Sequence, residues 1–429
     1  MSWIAFLALA IGLLLVLMFM GVRIFAGFLA LNLIGLLVLL GSRGFGLFAN
    51  SIFETATSSS LMTVALFILM GEILFRSGSV DILYNSVDRL VGNLSGRLYV
   101  VTIALSTVFG ALSGSAVAVA ALLGRSVLPL MRSRGYDIRL SAGTILAGAS
   151  LAPIIPPSLL AIIVGSLADV SIAGLLVAGI VPGIILAGLM LAYVLIRARA
   201  SDTPAARTSG GTVLRALIDM LPFLLVILSV MGLILAGVAT PSESAATGVV
   251  GATLVAAIFR RLDLHMLREA VMSTVITSTA ILAILCSAKL FSQLLSLAGA
   301  TRNLVTLVDQ VALGPDLTFF LMMAIPFVLC MFIDQIAFML LAIPIYQPIV
   351  ATMGYDPIWF WTLFLINLTV GSLTPPFGYT LFALKGSNDD LSIAQVYAAA
   401  WPVVAIFLIG MTIFWASPSL VTVIPGLLR

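Results

Sequence analysis

Two stretches of this chain free backbone groups that a helix would otherwise satisfy. In Ala152-Pro153-Ile154-Ile155-Pro156-Pro157-Ser158, three prolines remove N–H donors and clash with carbonyls a turn earlier, so the segment cannot stay helical. Thr374-Pro375-Pro376-Phe377-Gly378 does the same further along. Carbonyls released in apolar surroundings persist when they are buried in protein, line a wet cavity or coordinate a cation. The helix ends beside such a break favour an anion at N-termini and a cation at C-termini. Asp334 is a carboxylate inside an apolar segment, which points to an ion or proton pathway; the alternative is an Asp capping local backbone. Ser113-Gly114-Ser115 permits a tight turn and offers hydroxyls and carbonyls without bulk, although small residues also serve close helix packing.

These features come in pairs. Gly-Tyr-Asp occurs at 135 to 137 and again at 354 to 356, and each copy is followed at the same interval by a Pro-Pro pair, Pro156-Pro157 or Pro375-Pro376. The offset is 219 residues without a gap, and it also sets Pro129 on Pro348 and Leu146 on Leu365. The chain therefore contains two copies of one unit. Broken apolar segments at matching places in two repeats point to a transported solute.

The elements that position these residues are membrane helices. Apolar residues make up 62% of the chain and charged residues 9%, against roughly 45–50% and 25% in soluble domains. The predicted fold is an all-α membrane bundle. Full spans are expected near 3–20, 24–40, 61–75, 172–196, 216–238, 245–259, 271–297 and 394–416. Four more apolar segments, 98–130, 140–165, 317–348 and 357–384, hold the paired motifs, and the positive-inside rule assigns them. Treating 98–130 as a re-entrant hairpin keeps Arg132, Arg134 and Arg139 on one side with Arg197, Arg199, Arg207 and Arg215. By the repeat, 317–348 is the second hairpin, with its tip near Asp334-Gln335. With both termini outside, sixteen Lys and Arg residues fall in cytoplasmic segments and only Arg43, Arg302 and Arg429 outside. Five spans, an odd number, separate the hairpins, so the repeats run in opposite orientation. The expected division is scaffold helices at 1–97, the first hairpin and broken helix at 98–165, connecting and scaffold helices at 166–316 with a cytoplasmic linker at 197–213, the second repeat at 317–385, and a C-terminal helix at 386–429.

Other chemistry finds little support. No zinc-type His/Glu spacing, phosphate loop or Ser/His/Asp set occurs, so the chain is not read as an enzyme. The net charge of +3 reports topology and not a nucleic-acid partner. The sole histidine, His265, lies in a basic loop, Glu72 reads as structural, and Cys286 and Cys330 read as core residues without a disulfide. Lys289, deep in a span, calls for snorkelling or a buried partner rather than solute contact. The first span lacks the basic flank and cleavage site of a signal peptide.

At GALSGSAVAVAALLG (110 to 124), IIPPS (154 to 158), AGIVPG (178 to 183), ATPSESAATG (239 to 248), FIDQIAFMLLAIPIYQPI (332 to 349) and GSLTPPFG (371 to 378), the chain resembles the large membrane subunit of tripartite ATP-independent periplasmic (TRAP) transporters. The resemblance implies Na+-driven uptake of an organic anion, a carboxylate or sialic-type acid, across the bacterial inner membrane. It further implies a periplasmic solute-binding protein, a separate small four-helix membrane subunit and an elevator mechanism. Carried over, one Na+ site uses Ser113, Gly114 and Ser115 with Pro153, Pro156 and Pro157. A second uses Asp334 and Gln335 with Thr374, Pro375, Pro376 and Gly378. Ser150, Ser158, Thr369 and Thr374 are the expected solute contacts. The competing class is a channel or a non-catalytic subunit of another membrane complex, which would have a continuous polar pore and no opposed hairpins.

Overall fold

The computed structural model describes residues 3–22, 24–78, 82–83, 85–87, 89, 96–199, 213–311 and 313–427. Residues 200–212, most of the expected linker and Arg207 with it, lie outside them, as do Arg23 and Arg429. Among the described residues the secondary structure is helical throughout. The first copy comprises α1 (Trp3–Phe19), α2 (Ile24–Leu40), α3 (Gly44–Ala56), α4 (Ser59–Arg76), α5 (Arg97–Ser113), α6 (Ala116–Ser126), α7 (Leu128–Ser133), α8 (Ile138–Ala149), α9 (Leu159–Leu167), α10 (Ile172–Ala178) and α11 (Ile180–Arg199). The second comprises α12 (Val213–Leu235), α13 (Pro241–Ile258), α14 (Leu264–Leu297), α15 (Ala300–Val311), α16 (Pro315–Leu329), α17 (Gln335–Met353), α18 (Pro357–Leu373), α19 (Tyr379–Ser387), α20 (Ile393–Ala416) and α21 (Ser419–Gly426).

The 219-residue offset reaches well beyond the hairpins. Added to the bounds of α9, 159–167, it gives 378–386 against the observed 379–387 of α19. It also sets α2 on α13, α3 and α4 on α14, α5 on α16, α6 and α7 on α17, and α10 and α11 on α20, within a few residues. The Gly-Tyr-Asp motif is a stop and start between helices. Gly135 (φ 76°) and Gly354 (φ 69°) take the left-handed conformation that ends a helix. Asp137 then caps α8, accepting from the Leu140 N–H at 2.7 Å, and Asp356 caps α18, accepting from the Trp359 N–H at 3.0 Å.

Helices of both copies pack into two bodies. The first gathers α1 to α4 with α12, α13 and α14; α4 lies along α13 and α14, and α14 along α2 and α3. The second gathers α5 to α11 with α16 to α21, where α6 lies on α19, α5 and α20 on α8, and α11 on α20. Packing thus draws α10, α11, α20 and α21 to the body that holds the hairpins, a wider grouping than 98–165 with 317–385. The two bodies meet where α4 touches α5 and α9 and where α14 touches α17.

Eight described helical stretches are long and apolar enough to cross a membrane, and they include Ala116–Ser133 and Gln335–Met353, the return arms of the two hairpins. Hydropathy windows did not predict α3. Its Ser51, Glu54 and Thr55 lie on one side and the chain turns into it sharply, with Gly41 at φ 60° and a Cβ on Gly44 reaching within 3.0 Å of the Leu36 carbonyl oxygen. At 34 residues α14 is about 50 Å long at 1.5 Å per residue, more than the thickness of the hydrocarbon layer.

Candidate functional site

Each copy builds one junction, where the turn between two hairpin arms meets the break in the following helix. Four helix ends converge at each. In the first, α5 ends at Gly114 (φ 63°), and a Cβ there would stand 3.1 Å from the Leu159 nitrogen, so the tip rests on the first residue of α9. Ser115 then caps α6, its hydroxyl accepting from the Ala118 N–H at 3.3 Å. In the break, the Ser150 hydroxyl donates to the Leu146 carbonyl at 2.8 Å. The Ser158 hydroxyl donates to the Pro153 carbonyl at 2.5 Å and accepts from the Ala161 N–H at 3.2 Å, thereby capping α9. Ser113, Gly114, Ser115, Pro153, Pro156, Pro157 and Ser158 are thus brought together. Two helix N-termini and two C-termini meet there, a setting that can hold charge of either sign.

The second junction repeats this backbone with other side chains. Asp334 occupies the place of Ser115 and caps α17, accepting from the N–H groups of Ile336 at 2.9 Å and Ala337 at 3.3 Å. Its carboxylate also lies beside the hydroxyl of Tyr379, the first residue of α19, so tip and break adjoin. The Gln335 amide nitrogen donates to the Leu368 carbonyl at 2.9 Å and to the Ser372 hydroxyl at 3.0 Å, tying the tip to α18. A Cβ on Gly378 would stand 2.5 Å from the Ser372 carbonyl oxygen and 3.0 Å from that of Thr374, so carbonyls converge on the break as the prolines implied. The hydroxyls of Thr369 and Thr374 donate back to Leu365 and Val370 at 3.0 and 2.7 Å, which leaves their lone pairs as the groups able to contact a ligand.

Surroundings separate the two junctions. Break residues 150–154 and 156–158 are buried, and Ser113, Gly114 and Pro157 face Phe67, Ile68 and Met70 of α4. At the second junction Phe332 and Phe377 are each 57% exposed, and Pro376 is exposed as well.

Lys289 of α14 pairs with Glu54 of α3. Sequence reasoning anticipated snorkelling or a buried partner, whereas the pair is exposed, and it did not find Glu54, because α3 itself went unpredicted; the 219-residue offset that sets α3 against the start of α14 was the signal that could have exposed it. The pair lines a cavity of about 410 Å³ between the two bodies, with Ser58 and Ser292 from the first body and Ser166, Asp169 and Gln347 from the second. Glu72 bonds Arg76 at 2.8 Å and accepts from the Ser273 hydroxyl at 2.8 Å, a structural link between α4 and α14. His265 is exposed, 3.7 Å from Glu269, and Cys286 and Cys330 are buried and free.

A duplicated helical bundle with paired hairpin and broken-helix junctions defines the architecture of a secondary transporter. The chain belongs to the tripartite ATP-independent periplasmic transporter family, DctM component, whose profile matches residues 11–420. It is 30% identical over 329 residues to the ectoine/5-hydroxyectoine TRAP transporter large permease protein UehC of Ruegeria pomeroyi, covering 76% of each chain. It is 28% identical to the C4-dicarboxylate TRAP transporter large permease protein DctM of Pseudomonas aeruginosa, covering 88% of this chain and 89% of the other. Its fold matches that of the YdaH transporter of Alcanivorax borkumensis with a TM-score of 0.62 at 14% identity, over 88% of this chain and 89% of that one. The chain is thus a multi-pass TRAP large permease subunit, and its family works with a small membrane subunit and a periplasmic binding protein.

Proposed function

We propose that this subunit imports a small organic anion across the bacterial inner membrane, driven by Na+, with one cation bound at each junction. The observation that carries this reading is the meeting of helix ends, tip and broken helix twice over, with Asp334 capping a hairpin in one of them. Carbonyl oxygens of the break, the C-termini of the preceding helices and the Asp334 carboxylate suit a cation. The N-termini of α6, α9, α17 and α19 suit the carboxylate of the solute. The relatives named for C4-dicarboxylate and ectoine support a small organic acid as the class of solute.

Each hairpin is read as re-entrant, the first entering from the cytoplasm and the second from the periplasm, with both chain termini periplasmic. The body holding both junctions moves against α1 to α4 and α12 to α14 as an elevator. Interlocking of the copies supports a rigid moving body: a Cβ on Gly124 of α6 would stand 2.0 Å from the Ser387 hydroxyl of α19, and Arg132 pairs with Asp390. The test is uptake into proteoliposomes holding this chain with its small subunit and supplied with the loaded binding protein. Uptake should rise steeply with external Na+, with more than one ion per solute. Uptake that runs unchanged on a proton gradient without Na+ overturns the coupling.

A further inference from the structure

At the second junction the rings of Phe332 and Phe377 meet with centroids 5.6 Å apart and planes at 44°. One ring belongs to the hairpin tip and the other to the break, so this contact spans the junction from tip to break. Subtracting 219 gives Ser113 and Ser158, so the same two places in the first copy hold hydroxyls. There the junction is covered from outside, by Phe67, Ile68 and Met70 of α4. At the second junction the covering is supplied by the junction itself, and both rings remain 57% exposed. The break side is held fixed, because the Tyr397 hydroxyl of α20 donates to the Pro376 carbonyl. The tip side is anchored to α18 through Gln335.

We propose that Phe332 and Phe377 form a clasp over the second junction, and that their parting admits and releases what the junction binds. The inference rests on the reading that a cation and solute occupy that junction. A lone aromatic contact with no further packing on its outer face is weak enough to open in every cycle yet excludes water while closed. Opposed serines could not do this, which is why the first copy depends on α4 for closure.

The experiment uses the assembled transporter in proteoliposomes with Cys286→Ala and Cys330→Ala in this chain. Phe332→Cys and Phe377→Cys are added, and a short bifunctional methanethiosulfonate bridges the two thiols. Bridging should cut solute uptake by at least about tenfold, and a reductant should restore it. The same double-cysteine protein treated with a monofunctional reagent of similar size, which caps both thiols without joining them, is the reference for that loss. Bridged protein that transports at the unbridged rate overturns the clasp, since the rings would then stay together throughout the cycle. A second variant, Phe377→Leu, keeps an apolar side chain and should raise solute-free ion exchange by about threefold; an unchanged exchange rate also overturns the proposal. Uptake that proves independent of Na+ but is still arrested by the bridge would sink the coupling ion alone and leave the clasp standing.

Discussion

The two junctions share a backbone plan and differ in what covers them. Ser115 and Asp334 are equivalent caps, Pro156-Pro157 and Pro375-Pro376 equivalent breaks, yet the first junction lies under α4 while the second carries exposed rings. Close approach of the outgoing hairpin arm to the broken helix is kept in both by a glycine on opposite partners. In the first copy Gly110 faces Ala152, where a Cβ would stand 2.8 Å from that residue's Cα; in the second Gly371 faces Cys330, where a Cβ would stand 2.6 Å from the cysteine Cβ. On the proposed elevator reading, an alternate arrangement in which the units exchange surroundings opens the first junction and covers the second.

That comparison fails outright if the copies are not inverted. Arg134 and Met353 are equivalent under the 219-residue offset, each one residue short of its Gly-Tyr-Asp glycine. With Arg134→Cys and Met353→Cys made singly, a membrane-impermeant thiol reagent added from the periplasm should label position 353 and not 134. Labelling of both, or of neither, removes the inverted relation, and labelling of 134 alone reverses the orientation. The next largest effect belongs to the buried break. Gly179, at the junction of α10 and α11, lies against Ile154, and a Cβ there would stand 2.1 Å from that carbonyl oxygen. Its equivalent is Ala398, which is exposed. Gly179→Ala should therefore cost about 1–3 kcal/mol by overpacking, whereas Ala398→Gly should cost no more than about 1 kcal/mol through helix propensity. Thermal unfolding in detergent separates the two, and equal shifts would mean that the two breaks are equally crowded.

The caps sharpen the comparison chemically. Asp334→Asn keeps size and hydrogen bonding but removes a charge that favours a nearby cation in a medium of low dielectric. It should raise the Na+ concentration for half-maximal uptake by about tenfold. Ser115→Ala, the equivalent change in the first copy, removes only a hydroxyl and a cap, and the shift should stay within about threefold. An Asp334→Asn protein with unaltered Na+ dependence makes Asp334 a structural cap and removes the second ion site.

The all-helical fold, the hairpin tips and the breaks were legible because each depends on local covalent constraints. Proline removes a donor wherever it stands, and Gly-Tyr-Asp stops and restarts a helix without tertiary help. The whole-chain extent of the duplication was not legible. Beyond the marker residues the equivalent helices are bound only to be apolar, which many sequences satisfy, so α2 and α13 share bounds and little sequence. Glu54 and α3 escaped notice because a short helix with a polar side leaves no apolar window, and its partner Lys289 is 235 residues away. Phe332 and Phe377 looked like ordinary apolar residues. Only their placement opposite Ser113 and Ser158 marks them, and that needs the offset and the geometry together.

The smallest expected effect lies in the scaffold, at the start of α13. Helix α13 opens with a capping box: the Glu243 N–H donates to the Thr240 hydroxyl at 3.3 Å, and the Glu243 carboxylate accepts from the Thr240 N–H at 2.8 Å. That backbone N–H, and after it the Thr240 hydroxyl, hold the Glu243 carboxyl below its ordinary range. Because the folded value is the lower one, the unfolded chain takes up the proton first as the pH falls. The stabilisation is fully present above the unfolded value, near about 4.3, and is lost as the pH drops through the folded value beneath it. Glu243→Gln retains an acceptor for the Thr240 N–H but has nothing to titrate. The two proteins should therefore unfold at nearly the same temperature at neutral pH, and below about pH 4 the native protein should fall slightly faster than the variant. Parallel unfolding curves down to about pH 3 would show that the charge of Glu243 adds nothing to the box at α13.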